Sequence, residues 1–307
     1  MKYDINIDIV VCTFNRCDSL RKTLDAIYKQ GILPPNNVHV IVVDNNSTDR
    51  TKEICEIFKD RINITYLFEK RQGLSYARNT GVNNSTGDIV IFTDDDVCPH
   101  PNWLENLILT FKEYNCDACG GFVEPEWEVQ PPKWLTSRFY GMIALKTDTK
   151  GPYQIEDIDQ TPFGANMAFK REVFEDVGLF NTELGRKGNV LAGGEERDLF
   201  QRILDRKGKI VYTPHSKVKH HIEAFRTRKS YFRRWRFQYG KNLASVKGVA
   251  GGRRLFGIPP YLIRQFVISC LGALIAKFYR SSTESFRKEL VVWFQAGLIS
   301  GLFRAGK

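Results

Sequence analysis

Residues 88–96 read Asp-Ile-Val-Ile-Phe-Thr-Asp-Asp-Asp, an unbroken apolar run closed by three successive carboxylates. A run of this length without polar alternation reads as a strand buried on both faces, as parallel strands are. Three acids at its end repel one another, which costs stability unless a cation gathers them. Hard oxygen donors favour Mg²⁺ or Mn²⁺, and Mg²⁺ usually takes one or two carboxylates plus substrate phosphates. In a locally extended chain, Asp94 and Asp96 point to one side and Asp95 to the other. An acidic turn that only caps the next helix fits less well after so apolar a strand.

Outward from this stretch the chain alternates regularly. Upstream, Ile5–Cys12 reads as a buried strand, and Leu20, Leu24, Ile27 and Tyr28 mark an amphipathic helix over Asp18–Lys29 with Asp18 as its cap. Val38–Val43 and Ile62–Phe68 are further strands, with helices over Asp49–Lys59 and Leu74–Val82. Downstream, Trp103, Leu104, Leu107, Ile108 and Phe111 mark another long helix. Strands and helices in this order predict βαβ units and a single Rossmann-like α/β domain with a mostly parallel sheet. Ligands of such sheets lie outside the carboxyl ends of the strands. Thr13-Phe14-Asn15-Arg16, the run from Asp44 to Asp49 and Asp94-Asp95-Asp96 therefore converge on one edge.

Neither G-x-x-x-x-G-K-[ST] nor a strand followed by G-x-G-x-x-G occurs, so a bound diphosphate would need a metal to carry much of its charge. Asp44 could accept a hydrogen bond from a base or ribose hydroxyl. Arg78, in a helix opened by Gly73, is either a base or phosphate contact or a surface arginine. Glu195 and Glu196 follow Gly193-Gly194 at a helix start, where they are either dipole-stabilised acids or a general base. One of His215, His220 and His221 could complete a metal shell.

The chain has 307 residues, 42% hydrophobic and 26% charged, which excludes a disordered chain, a collagen repeat and a disulfide mini-protein. Its net charge of +10 is uneven: residues 1–200 carry −9 and residues 201–307 carry +19. The basic third points to a polyanion, and an anionic membrane surface is the expected partner. Arg226–Arg236 mixes basic and aromatic residues as nucleic-acid surfaces do, but nucleic acid leaves the acidic triplet unexplained and is not expected. The charge-free stretches Gln265–Ala276 and Leu290–Phe303 fall short of the ~20 residues of a span and are expected as buried or interfacial helices. Seven cysteines, an odd number, do not form a disulfide framework, and Cys116-x-x-Cys119 lacks the second pair of a zinc site. With no leader read at the N-terminus, the expected location is the cytoplasm, peripheral at the inner face of the plasma membrane.

Six motifs in order resemble the family-2 glycosyltransferases: VVCTFNR at 10–16, VVDNNSTDRT at 42–51, GLSYARNTGV at 73–82, FTDDDV at 92–97, PFGANMAFKREVFEDVGLF at 162–180 and GGEERDLFQRIL at 193–204. The resemblance covers roughly residues 6–240. It implies a GT-A-type nucleotide-sugar domain over 1–240, with a helical, basic C-terminal extension over 241–307. It further implies inverting transfer of one sugar from a nucleotide-diphosphate donor, UDP-linked by family frequency, to a glycan or lipid-linked acceptor, with Mn²⁺ or Mg²⁺. Thr13, Arg16, Asp44 and Arg78 fall on positions that hold the nucleoside. Asp94 and Asp96 fall on the aspartate–x–aspartate motif, with Asp95 between them; Asp96 reaches the metal and Asp94 lies near the ribose and metal shell. Glu195-Glu196 stands where the family usually has Glu-Asp, so the general base is Glu196 or Glu195. His220 falls near a histidine that assists the metal, with His221 as its rival. Tyr231 stands where processive members carry Gln or Arg, which implies one sugar per encounter. The segments Pro125–Trp134 and Pro162–Ala168 are expected to frame the acceptor, and Trp127 and Trp134 either stack on a sugar face or pack in the core. The rival classes are a sugar nucleotidyltransferase, which lacks its glycine-rich loop here, and a nucleic-acid-binding protein.

Overall fold

The apolar run at residue 88 is the inner strand of a nine-stranded sheet in the computed structural model, which describes residues 5–30, 37–188, 191, 193–247 and 257–305. In chain order the elements are β1 (Ile7–Thr13), α1 (Cys17–Tyr28), β2 (Val38–Asp44), α2 (Thr51–Phe58), β3 (Ile64–Phe68), α3 (Leu74–Asn83), β4 (Ile89–Asp94), β5 (Val97–Pro99), α4 (Trp103–Tyr114) and β6 (Ala118–Trp127). There follow β7 (Tyr153–Ile155), β8 (Met167–Lys170), α5 (Val173–Val177), α6 (Glu195–Asp205), β9 (Ile210–Ile222), α7 (Lys229–Lys247), α8 (Pro260–Tyr279) and α9 (Ser282–Ala305). Arg253, Arg254 and Lys307, basic residues of the sequence on either side of the apolar stretches, lie outside the described residues.

The strand order is β3-β2-β1-β4-β8-β6-β9-β5, with β7 beside β9. The expected parallel arrangement holds for β3, β2, β1 and β4. Beyond β4 the sheet turns antiparallel, because β8 runs back between β4 and β6. Val10, Val11, Ile41, Val42, Val90 and Ile91 are fully buried, as continuous apolar strands demand. Each such side chain contributes about 1.5–3 kcal/mol by leaving water. Phe92 meets Phe169, Phe174 and Phe180 edge-on, at 5.9, 6.2 and 5.3 Å between centroids.

The register sets the edge where chemistry can happen. Thr13 pairs with Asp44 and Cys12 with Asp94, so the ends of β1, β2 and β4 are level. The order reverses at β1, with β2 on one side and β4 on the other; this switch point opens a crevice outside the strand ends. Helix α1 starts at Cys17, and the expected cap Asp18 sits inside its first turn. The Cys17 N–H is satisfied instead by Asp49, which also accepts from the Thr51 N–H and so ties together the starts of α1 and α2.

The chain forms two compact units. The first is Met1–Glu126, Ala144–Thr182 and Gly194–His221, which holds the sheet. The second is Trp127–Ile143, Glu183–Gly193 and Ile222–Lys307. A boundary at residue 240 falls inside α7, one continuous helix. Within the second unit, Trp134 is half-buried and packs against Phe139, Phe232 and Phe286 at 5.6, 5.2 and 4.7 Å. Trp127 lies 6.2 Å from Tyr140. Helices α7 and α9 cross backbone to backbone: a Cβ at Gly240 would lie 2.2 Å from the Phe294 carbonyl, and one at Gly297 would lie 2.0 Å from that of Phe237.

Helix α8 corrects the expected shortness of the first apolar stretch. It runs for 20 residues, and its most apolar 18-residue window has a mean hydropathy of 1.5, so by length and composition it could cross a bilayer. The sequence reading counted only the charge-free middle. Arg264 and Lys277 continue the helix, and Pro260 starts it at a position where a missing N–H does no harm. Leu262, Ala273 and Ala276 are buried, while Val267, Ile268, Leu271, Leu274, Ile275 and Phe278 are each more than half exposed. The second stretch lies within α9.

Candidate active site

The acidic triplet does not stay extended. Asp94 ends β4, and Asp95 and Asp96 form the turn into β5. The expected alternation is therefore overturned: Asp95 and Asp96 share Arg16, whereas Asp94 faces Arg78. Arg16 Nη1 donates to Asp96 Oδ2 at 2.6 Å and to Asp95 Oδ1 at 3.3 Å. Thr13 Oγ1 donates to Asp95 Oδ2 at 2.7 Å. From behind, Thr23 Oγ1 donates to the carbonyls of Asp95 and Val97 at 3.0 and 2.8 Å, which fixes the turn.

Strand β9 settles the placement of the histidines. Val97 pairs with His220, which is 2% exposed and brings Nε2 to 3.3 Å from Asp96 Oδ1. His221, on the opposite side of the strand, points its ring toward Glu126 at 3.6 Å, while its backbone N–H donates to the Asp96 carbonyl at 2.9 Å. His215 is exposed and away from this cluster.

The acidic pair arrives on α6. Gly194 precedes it at φ = +107°, a conformation that favours glycine, and Glu195 and Glu196 occupy the first helical turn, where the dipole stabilises carboxylates. Arg78 comes from α3, which lies close against β1 because Gly81 has no Cβ; one there would sit 2.4 Å from Val10 Cγ1. Arg78 is 2% exposed. Its Nη1 reaches Glu195 Oε1 at 3.0 Å, and its Nη2 reaches Glu196 Oε1 at 3.2 Å and Asp94 Oδ1 at 3.8 Å. The Glu195 side chain is 3% exposed and that of Glu196 22%. Thus Arg78, expected among the nucleoside contacts, faces the acids.

Asp44 is also enclosed, at 3% exposure. Its Oδ1 accepts from the Ser47 N–H at 2.7 Å and its Oδ2 from the Tyr66 hydroxyl at 2.8 Å. Asn45 binds the loop after β2 to the loop after β3 by donating to the carbonyls of Glu69 and Arg71 at 3.1 and 2.7 Å. Sequence reasoning missed Tyr66, Gly164 and Asn166. Gly164 donates its N–H to Glu196 Oε1 at 3.1 Å, and Asn166, fully buried, bridges Trp103 Nε1 and the Ser216 carbonyl. The motif PFGANMA was their one signal, since its glycine and asparagine follow neither helical nor strand periodicity.

Five carboxylates and two guanidinium groups leave the cluster net negative. Burial pushes the Asp95 carboxyl up to about 7 despite Arg16, with Asp96 adding repulsion. Burial raises Asp94 too; Arg78 opposes this and Asp96 adds to it. Among the described residues, no three His, Cys, Asp or Glu side chains gather closely enough to cage an ion by themselves. The donor set nevertheless fits a divalent cation of the Mn²⁺ or Mg²⁺ kind: a carboxylate, an imidazole 3.3 Å away and a second carboxylate nearby. Such ions routinely complete their shell with phosphate and water.

Residues 8–178 match the profile described as Glycosyl transferase family 2. The chain is 31% identical over 229 residues to glucosyl-dolichyl phosphate glucuronosyltransferase of Haloferax volcanii, covering 73% of this chain and 71% of that one. It is 27% identical to the succinoglycan biosynthesis protein ExoM of Rhizobium meliloti, covering 77% and 74%. The fold is similar to that of a mannosyltransferase from Pyrobaculum calidifontis in complex with GDP-Man and Mn²⁺, with a TM-score of 0.60 at 20% identity over 97% of this chain and 86% of that one. With the GT-A-like mixed sheet and the acidic switch-point edge, these matches show that the chain belongs to glycosyl transferase family 2 and is a glycosyltransferase.

Proposed function

We propose that the protein transfers one sugar, with inversion, from a nucleoside-diphosphate donor to a hydroxyl of a glycan or lipid-linked acceptor. The observation that carries this is the gathering of Asp94–Asp96, Arg16, His220, Arg78 and the Glu195–Glu196 pair at one strand edge. Asp96 and His220 would hold Mn²⁺ or Mg²⁺, with Asp94 beside them. The cation supplies charge neutralisation for the leaving diphosphate. Thr13, Arg16, Asp44 and Asp95 line the nucleoside end. Glu196 is the base, because it alone of the pair reaches solvent; Glu195 is sealed against Arg78. Its carboxylate takes the proton of the acceptor hydroxyl while that oxygen attacks the anomeric carbon. The bond to the diphosphate breaks in the same displacement, which inverts the anomeric configuration.

The relative named glucosyl-dolichyl phosphate glucuronosyltransferase supports a lipid-linked acceptor. A UDP-sugar is the donor we favour, on the family resemblance. In the second unit, the exposed apolar face of α8, with Arg264 and Lys277 within the helix and Arg280 at its end, supports attachment to an anionic leaflet. The cytoplasmic side of the plasma membrane, where nucleotide-sugars are made, is the location consistent with this reading.

The test is a screen of UDP- and GDP-sugars for metal-dependent thermal stabilisation, followed by assay of the released product. The reading expects a nucleoside diphosphate; pyrophosphate would mean a nucleotidyltransferase instead. Asp96→Ala should lose the stabilisation by Mn²⁺ and turnover together, and Glu196→Gln should lose turnover while still binding donor.

A further inference from the structure

We propose that Arg78 is a positioning residue for the base rather than a contact for the donor, a proposal that rests on reading Glu196 as that base. The guanidinium is buried, with the Phe180 ring 5.4 Å from its centre. Burial works against its charge, and the carboxylates of Glu196, Glu195 and Asp94 more than offset this, so its pKa rises above the usual arginine value. Three acids thus surround one cation, and the fork divides unequally between them. Nη1 serves Glu195, the buried counter-ion. Nη2 serves Glu196 Oε1, the oxygen that also takes the Gly164 N–H. Two donors on Oε1 fix the carboxylate plane and leave Oε2 as the oxygen that can accept a proton from the acceptor.

Gly164 is a second, independent mark of the arrangement. A Cβ at this position would lie 1.9 Å from Arg78 Nη2 and 2.5 Å from Glu196 Oε1. The glycine is needed for space, so that guanidinium, backbone N–H and carboxylate can meet. Lysine cannot replace the fork, since one ammonium does not span both acids in the plane that the guanidinium sets. The device holds geometry at some cost in basicity, because a nearby cation stabilises the ionised base.

The experiment measures Arg78→Lys, Arg78→Ala, Gly164→Ala and Glu196→Gln in the full chain, with circular dichroism and melting temperature as folding controls. We expect Arg78→Ala and Gly164→Ala to lower kcat by about 10²-fold, the scale of an ångström-sized misplacement of a reacting group. The donor KM, and the Kd for UDP or GDP alone, should stay within about twofold. Arg78→Lys should recover only part of kcat, and added guanidinium ion should rescue Arg78→Ala. A weakened nucleotide Kd with kcat unchanged in the Arg78 variants makes Arg78 a donor contact and overturns the proposal alone. Full turnover in Glu196→Gln overturns the reading of the base, and the proposal with it. Should Arg78→Ala fail to fold, Gly164→Ala and Arg78→Lys carry the same kcat-against-Kd comparison.

Discussion

Glu69 offers a measurement of how firmly the loops under the active edge are held. It follows β3 and is 7% exposed. Its carboxylate accepts from the Arg71 N–H at 2.8 Å, from Arg71 Nε at 2.9 Å and Nη2 at 2.8 Å, and from Thr80 Oγ1 at 2.6 Å. The Arg71 hydrogen bonds, opposed by burial and aided by Thr80, hold its carboxyl at about 2 rather than the usual 4.5. A shift of that size corresponds to about 3 kcal/mol of linkage. Because the Arg71 side chain is 67% exposed, solvent screening reduces this to about 1–2 kcal/mol. The sign follows from the depressed value: the contribution is complete above pH 4.5 and is lost as pH falls toward 2. Urea unfolding of wild type and Glu69→Gln should therefore differ by about 1–2 kcal/mol at pH 7, and the gap should shrink by more than about half at pH 3.5. A gap of equal size at both pH values would refute the ion-pair reasoning and make Glu69 a packing residue only. Thr80 lies two residues beyond Arg78 on α3, so the same bond helps seat the helix that carries Arg78.

Three further outcomes follow from the packing. Gly297→Ala should destabilise the second unit by about 1–3 kcal/mol, read as a lowered melting temperature, because its Cβ would lie 2.0 Å from the Phe237 carbonyl. Trp134→Ala should cost about 2–3 kcal/mol by leaving Phe139, Phe232 and Phe286 without their partner; an acceptor KM that rises while stability holds would return Trp134 to the acceptor. Leu271→Glu with Ile275→Glu should abolish pelleting with anionic vesicles without changing the melting temperature, since both side chains are more than half exposed; unchanged pelleting would detach α8 from membrane binding.

What the sequence revealed depended on how local the determining forces are. The parallel strands β1, β2 and β4 were legible because burial on both faces leaves continuous runs such as Ile-Val-Val at 9–11, which need no partner to be recognised; β3, half-buried along most of its length, was legible from its β-branched and aromatic residues. The antiparallel half was not, because β8 enters between β4 and β6 through pairings made across long separations. The cap of α1 was misread for the same reason: Asp18 is local, but the donor it was meant to satisfy goes to Asp49, 32 residues away. The acidic triplet was recognised by type and misread in direction. Alternation presumes an extended chain, whereas Thr23 on α1 holds the backbone of Asp95 and Val97 in a turn.

Exposure divides the two arginines of the edge into different roles, which residue type could not do. Arg16 is 31% exposed at its side chain, so water reaches its guanidinium, while the Asp95 and Asp96 carboxylates it holds are 8% and 7% exposed. Arg78 is 2% exposed, and withdrawing it would break its ion pair with the buried Glu195, a loss of about 3–5 kcal/mol. One guanidinium is thus open to solvent on one side, while the other is enclosed by the fold. Exposure separates the acids as well: Glu195 is enclosed with Arg78, and Glu196, held through one oxygen, is 22% exposed at its side chain. The motif GGEERD places both acids in sequence, but the packing of α3 against β1, made possible by Gly81, brings up the Arg78 that encloses one of them and leaves the other partly open to solvent.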